Sequence, residues 1–154
     1  MSRFRLAIDS SLTSLFLISA FVRSICERLG MSMHDISAVE VCAVEAVTNA
    51  IKHAYLGAPG SEVSIEAIAS PDKLDLYIRD QGQTMSPEHV AKLTKGSRVL
   101  EFDPIALASL PESGMGLQII HQLMHETAYS TDNGLNCLRL TRFIRKEESR
   151  EAGA

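Results

Sequence analysis

Two runs of strict alternation constrain this chain more than any other feature. Val63, Ile65 and Ala67 alternate with Glu62, Ser64 and Glu66. After Pro71-Asp72-Lys73, Leu74, Leu76 and Ile78 alternate with Asp75, Tyr77 and Arg79. A period of two on both sides of a turn predicts an antiparallel hairpin with one apolar face. That face has to be covered, and the preceding sequence supplies the cover. Leu12, Leu15, Phe16, Ile18, Val22, Ile25 and Leu29 predict a helix from about Leu12 to Leu29. Asp9-Ser10-Ser11 offers its N-cap, Gly30 its end, and Arg23 and Arg28 a solvated side. Ser32-Met-His-Asp35 has the shape of a capping box and opens a second helix ending near Tyr55. Its stripe of Ile36, Val39, Ala43, Val47, Ala50 and Ala54 can face the sheet.

The remaining elements follow the same rules. Phe4, Leu6 and Ile8 alternate with Arg3, Arg5 and Ala7 as a first strand. Ser86-Pro87-Glu88 starts a short helix reaching about Leu93. The region from Thr94 to Ser113 is irregular, and a loop of that length in a small domain is commonly functional. Leu117, Ile119, Ile120, Leu123 and Met124 predict a last helix. Two strands then flank the turn Asp132-Asn133-Gly134. The order β-α-α-β-β-(α)-loop-α-β-β predicts an α+β, two-layer α/β sandwich. Residues 1–145 form one expected domain, and the tail 146–154, starting at Lys146, reads as flexible.

Composition narrows the function classes. The 154 residues are 45% hydrophobic and 22% charged, with a net charge of −4, so no basic footprint for nucleic acid or membrane is present. No apolar run approaches the ~18 residues of a membrane span, and no signal peptide is recognisable. Cys26, Cys42 and Cys137 are widely spaced and lack a C-x-x-C pattern, which suits reduced thiols in a cytoplasmic protein.

Three stretches carry possible chemistry. Glu45, Asn49 and His53 are spaced i, i+4, i+8, so at roughly 100° per residue they share one side of a helix, with Cys42 and Lys52 beside them. A carboxylate there can take a proton, and a carboxamide oxygen can ligate a hard cation such as Mg²⁺. In isolation, a solvated polar helix face with a favourable pair is the better explanation of that pattern. Asp80-Gln-Gly82 follows a strand, where a carboxylate can accept from an exocyclic amine and a glycine can admit a flat ring. Gly114-Met-Gly116 precedes a helix, where backbone N–H groups suit phosphate. His121 and His125 are read as ordinary residues of the last helix, since Gln122 stands where a zinc-protease motif needs Glu. Neither a P-loop nor a dinucleotide fingerprint occurs.

Taken together, EAVTNAIKHAY, Asp80-x-Gly82 and SGMGLQII resemble the GHKL ATPase superfamily over about residues 5–144. Within it, the chain looks like the small anti-sigma-factor serine kinases of the RsbW type. The resemblance implies a Bergerat-type ATP-binding fold with a mostly antiparallel mixed sheet covered by helices on one face. It implies ATP and Mg²⁺, with Glu45 as general base, Asn49 as the Mg²⁺ ligand and His53 near the phosphates. Asp80 would read the adenine amino group, with Gly82 admitting the base. Gly114, Met115, Gly116 and Leu117 would line the triphosphate beneath a lid from about Lys92 to Ser113. Thr141 would support adenine, and Arg23 would lie where the family contacts a sigma factor. The partners implied are a STAS-type anti-anti-sigma protein, a sigma factor or other regulatory target, and a second copy of the chain through the first strand and helix. Thr84 departs from the family, which often has a second glycine there. Two other readings remain: a nucleotide-gated adaptor with little kinase activity, and a detached histidine-kinase catalytic domain.

Overall fold

The computed structural model describes residues 1–100 and 115–145. Gly114, Ser113, most of the expected lid and the tail from Lys146 lie outside the described residues. The sheet has five strands: β1 (Ser2–Asp9), β2 (Glu62–Ala69), β3 (Lys73–Asp80), β4 (Glu126–Asp132) and β5 (Leu135–Phe143). Their order is β1-β2-β3-β5-β4, and all four pairings are antiparallel. The described strands thus form an antiparallel sheet, in keeping with the mostly antiparallel sheet expected. Hairpins join β2 to β3 and β4 to β5. Asn133 and Gly134 close the second with φ of 49° and 78°, the left-handed values a two-residue hairpin turn requires.

Alternation does what it predicts. Ile65, Ile78 and Leu138 form a row across β2, β3 and β5, and all three are buried. Helices α1 (Leu15–Arg28), α2 (Met33–Asn49) and α4 (Gly116–Leu123) supply the core facing that row. The first helix is preceded by a 3-10 turn, Leu12–Ser14, capped by the Ser11 hydroxyl. Ser32 caps α2 and Ser86 caps the short α3 (Pro87–Lys92), each hydroxyl accepting from a backbone N–H three residues on. Gly30, at φ 68°, ends the first helical segment in the left-handed region.

The second helix is buried on a wider arc than one stripe. It packs against both α1 and α4 as well as the sheet, so Ala38, Cys42 and Ala46 are enclosed along with Ile36, Val39, Ala43 and Val47. Cys42 therefore belongs to the core and not to the polar side with Glu45. Burial, opposed by Arg142, raises its thiol pKa well above the ordinary range, and burial together with Glu40 pushes that of Cys26 up to about 12. Both thiols stay protonated and poorly nucleophilic.

The last helix ends earlier than the His121/His125 spacing suggests. Its C-cap Met124 is extended, and His125 N–H donates to the Thr141 carbonyl at the start of the β4–β5 ladder. His125 packs at a tilt against Phe143, the ring centroids 4.7 Å apart, while His121 is buried and bonds the Gly96 carbonyl at 2.8 Å. The two imidazoles do not share a helix face. No group of three metal-ligating side chains occurs among the described residues.

Candidate functional site

Small residues on α2 open a slot above the sheet. Ala46 and Ala50 face Ile78 and Leu138 across a cavity of about 270 Å³. Larger side chains at those two helix positions would fill it. Ala46, Ala50, Ala54, Ile78 and Leu138 make much of its lining apolar, and Asn49, Asp80, His53 and His89 add polar groups. An apolar slot with a few convergent polar groups is the usual form of a small-molecule site.

Past Asn49 the helix widens into a π turn, Ala50–Ala54, with Tyr55 N–H bonding the Ala50 carbonyl at 3.1 Å. Such turns recur at functional sites. The regular 100° spacing therefore stops at Asn49. His53 is exposed, and its ring centroid lies 5.8 Å from that of His89. Burial lowers its pKa, with His89, Lys52 and Lys92 acting in the same direction.

Asp80 closes one end of the slot and is 8% exposed. Burial raises its pKa, opposed by hydrogen bonds from Asn136 and the Gly82 N–H. Its Oδ1 accepts from Asn136 Nδ2 at 2.8 Å and from Gly82 N–H at 3.0 Å. The turn after Asp80 is pinned from both sides. Tyr55 Oη accepts from Gln81 N–H at 2.8 Å, Tyr129 Oη accepts from Met85 N–H at 2.9 Å, and Gln83 N–H donates to the Ala54 carbonyl at 2.8 Å. Gly82 is needed for this close approach. A Cβ there would collide with the Ala54 carbonyl group, its carbon 2.5 Å away. The glycine thus makes room for the end of the helix, a packing reason distinct from admission of a ring.

Beyond the slot lining, Gly116 begins α4 directly against Glu45. A Cβ on Gly116 would stand 2.5 Å from Glu45 Oε2. The first N–H groups of a helix lack intrahelical partners, and Met115 makes no side-chain cap here. Burial raises the Glu45 pKa, with Lys52 opposing. Glu45 also lines a groove of about 420 Å³ between α1 and α2 with Ser19, Arg23, Glu40 and Val44. Glu40 accepts from both Ser19 Oγ and Arg23, the latter at 2.5 Å, so Arg23 is tied to α2 as well as partly solvated.

Of the expected site residues, Asn49, His53 and Asp80 line the slot, Gly82 lies in the turn that follows Asp80, and Glu45 and Gly116 meet outside the slot lining, with Glu45 on the groove between α1 and α2. Met115 is half-buried at the start of α4, and the Leu117 side chain is buried in the core, leaving its backbone to face outward chemistry. Thr141 lies elsewhere. It pairs with Asp75 and donates to that carboxylate at 2.5 Å, five positions along β5 from Asn136, or roughly 17 Å. Asn136, Tyr55, Tyr129 and His89 escaped sequence reasoning. The available signal for Asn136 was a carboxamide on the face that carries Leu138 and Leu140, just after the hairpin turn.

The profile described as "Histidine kinase-like ATPase domain" matches residues 8–142. The chain is 30% identical over 150 residues to the serine-protein kinase RsbW of Staphylococcus aureus strain JH9, covering 95% of this chain and 89% of that one. It is 27% identical over 143 residues to the protein of that name from Bacillus licheniformis, covering 85% and 79%. Among solved structures, the RsbU and RsbW domains of Rv1364c from Mycobacterium tuberculosis superpose with a TM-score of 0.64 at 17% identity, over 95% of this chain and 34% of that one. The SiaB-SiaC complex from Pseudomonas aeruginosa gives a TM-score of 0.56 at 13% identity, covering 90% and 89%. These two likenesses concern the fold.

Proposed function

Because the chain belongs to the histidine kinase-like ATPase domain family, we propose that the slot between α2 and the sheet takes the adenine of ATP. The chain is an ATP-dependent serine/threonine protein kinase of the RsbW type. The observation that carries the assignment of the site is the contact between Glu45 and Gly116. It sets a carboxylate against the first N–H groups of α4, which have no partner among the described residues, one turn from Asn49 in the lining of a base-sized slot that includes Asp80.

Each residue then has a task. Asp80 accepts a hydrogen bond from the adenine amino group. The start of α4 holds phosphate oxygens through its first backbone N–H groups. Glu45, made more basic by burial, takes the proton from a serine hydroxyl. The serine oxygen bonds to the γ-phosphorus as the bond to the β–γ bridging oxygen breaks, and ADP leaves with that electron pair. The groove between α1 and α2 is the open approach to Glu45, so the acceptor serine enters from that side.

Asn49 fits a role toward Mg²⁺. No described residue hydrogen-bonds its carboxamide, it lines the slot, and it is an oxygen donor suited to a hard cation. At a nucleotide Mg²⁺ keeps several waters and takes only one or two protein oxygens beside the phosphates. When bound there, the ion would neutralise charge on the phosphates.

The acceptor is a serine of a STAS-type anti-anti-sigma protein, and the unphosphorylated acceptor competes with a sigma factor for the kinase. The chain works as a homodimer. The free edge of β1 and the exposed Phe4, Leu12 and Phe16 support this. Incubating the protein with Mg-ATP and a STAS partner should give phosphoserine. Failure to do so, with sigma binding indifferent to ATP, would favour an adaptor without kinase activity.

A further inference from the structure

We propose that Asn136 is the positioning residue that makes the slot selective for a 6-aminopurine, an inference that rests on the ATP reading of the slot. Asn136 is 1% exposed and faces Asp80 in register across β3 and β5. Its Nδ2 donates to Asp80 Oδ1 at 2.8 Å, to the Gly82 carbonyl at 3.1 Å and to the Gln83 carbonyl at 3.4 Å. Its Oδ1 accepts from the hydroxyls of Thr84 and Thr131, both at 3.1 Å. These partners fix which end of the amide is which. A flipped amide would press its oxygen against three acceptors.

The consequence falls on Asp80. Its Oδ1 already holds two donors, Gly82 N–H and Asn136 Nδ2. Among the described residues nothing donates to Oδ2, and Asp80 lines the slot. An ionised carboxylate oxygen accepts and cannot donate. The free oxygen therefore favours a ring edge that presents N–H and repels one that presents a carbonyl. Asn136 also ties the Gly82 and Gln83 carbonyls, so the carboxylate and the turn beside the base are held as one unit. Without the amide, only the Gly82 N–H would hold Asp80 Oδ1, so the carboxylate would be less firmly oriented and open to water.

The test compares ATP with purine riboside 5′-triphosphate, which lacks only the 6-amino group. Dissociation constants are measured with Mg²⁺ for the wild type, Asp80→Asn, Asn136→Ala and a Thr84→Val/Thr131→Val double variant. The wild type should prefer ATP by roughly tenfold to a hundredfold, the worth of a hydrogen bond to a charged group. Asn136→Ala and Asp80→Asn should each reduce that preference to about threefold or less, with binding of the deamino analogue little changed. The double variant removes both donors to Asn136 Oδ1, so it gives the same readout, at an intermediate ratio, even if Asn136→Ala fails to fold; Thr84 also lines the slot, so Thr131→Val alone is measured beside it. An unchanged preference in the Asn136 or double variant would overturn the proposal, as would equal weakening of both nucleotides, which marks a structural role. A wild type that binds neither nucleotide overturns the ATP reading itself and this inference with it.

Discussion

Glu45 and Gly116 touch: a Cβ added to Gly116 would stand 2.5 Å from Glu45 Oε2. The neighbour it meets is the mobile end of a side chain, so Gly116→Ala should fold. The cost falls on the position of the carboxylate. Thermal stability should stay close to wild type while the phosphotransfer rate drops roughly tenfold, a part of what a displaced general base can lose. Thermal melts alongside single-turnover phosphorylation check this.

Gly82→Ala should behave in the opposite way. Its Cβ would meet the backbone carbonyl of Ala54, which is also the acceptor for Gln83 N–H. Backbone held by hydrogen bonds cannot give, so this variant should lose about 1–3 kcal/mol, the usual range for overpacking. Denaturant unfolding of the two alanine variants side by side reads the contrast.

The strands, the helices and their caps and turns were legible because alternation, the 3.6 period and capping chemistry are local. Ser32, Ser86 and the Asn133-Gly134 turn do what their residue types predict. Other features depend on relations between distant segments. Cys42 is buried because α2 has two helical neighbours as well as the sheet, which its own periodicity cannot reveal. Register between β3 and β5 decides that Asn136, not Thr141, stands opposite Asp80. The π turn after Asn49 leaves no mark in the residues that form it. Gly114 lies outside the described residues, so the glycine pair is seen only through Gly116.

The clamp at the far end of α4 should set how well its start is held. Arg142 is 5% exposed and bonds Asp35 Oδ1 through Nε at 3.0 Å and Nη2 at 2.5 Å. It also donates to the carbonyls of Leu123 and Leu100, while Arg98 donates to those of His121 and Met124. Arg142→Met leaves Asp35 without its ion partner and frees a helix end. It should cost about 3–5 kcal/mol, as removal of one partner from a buried pair does. Equilibrium unfolding measures the loss.

Phosphotransfer should have an acid limb set by Glu45. Burial raises its pKa above the ordinary glutamate value, with Lys52 opposing. A base must be ionised to accept a proton, so the rate should fall as pH drops through that raised value, earlier than for an exposed glutamate. In Glu45→Gln the residual rate should be flat across the same range. A single-turnover pH profile with and without the substitution decides it.

The central claim is that Glu45 serves chemistry and Asn49 serves binding, one helical turn apart. It is tested most directly by measuring Mg-ATP affinity and phosphoserine formation on a STAS partner for Glu45→Gln and Asn49→Ala in parallel. The account predicts that Glu45→Gln binds Mg-ATP within about threefold of wild type and transfers phosphate roughly 10²–10⁴ times more slowly, while Asn49→Ala loses affinity first. Phosphorylation by Glu45→Gln at the wild-type rate would contradict it.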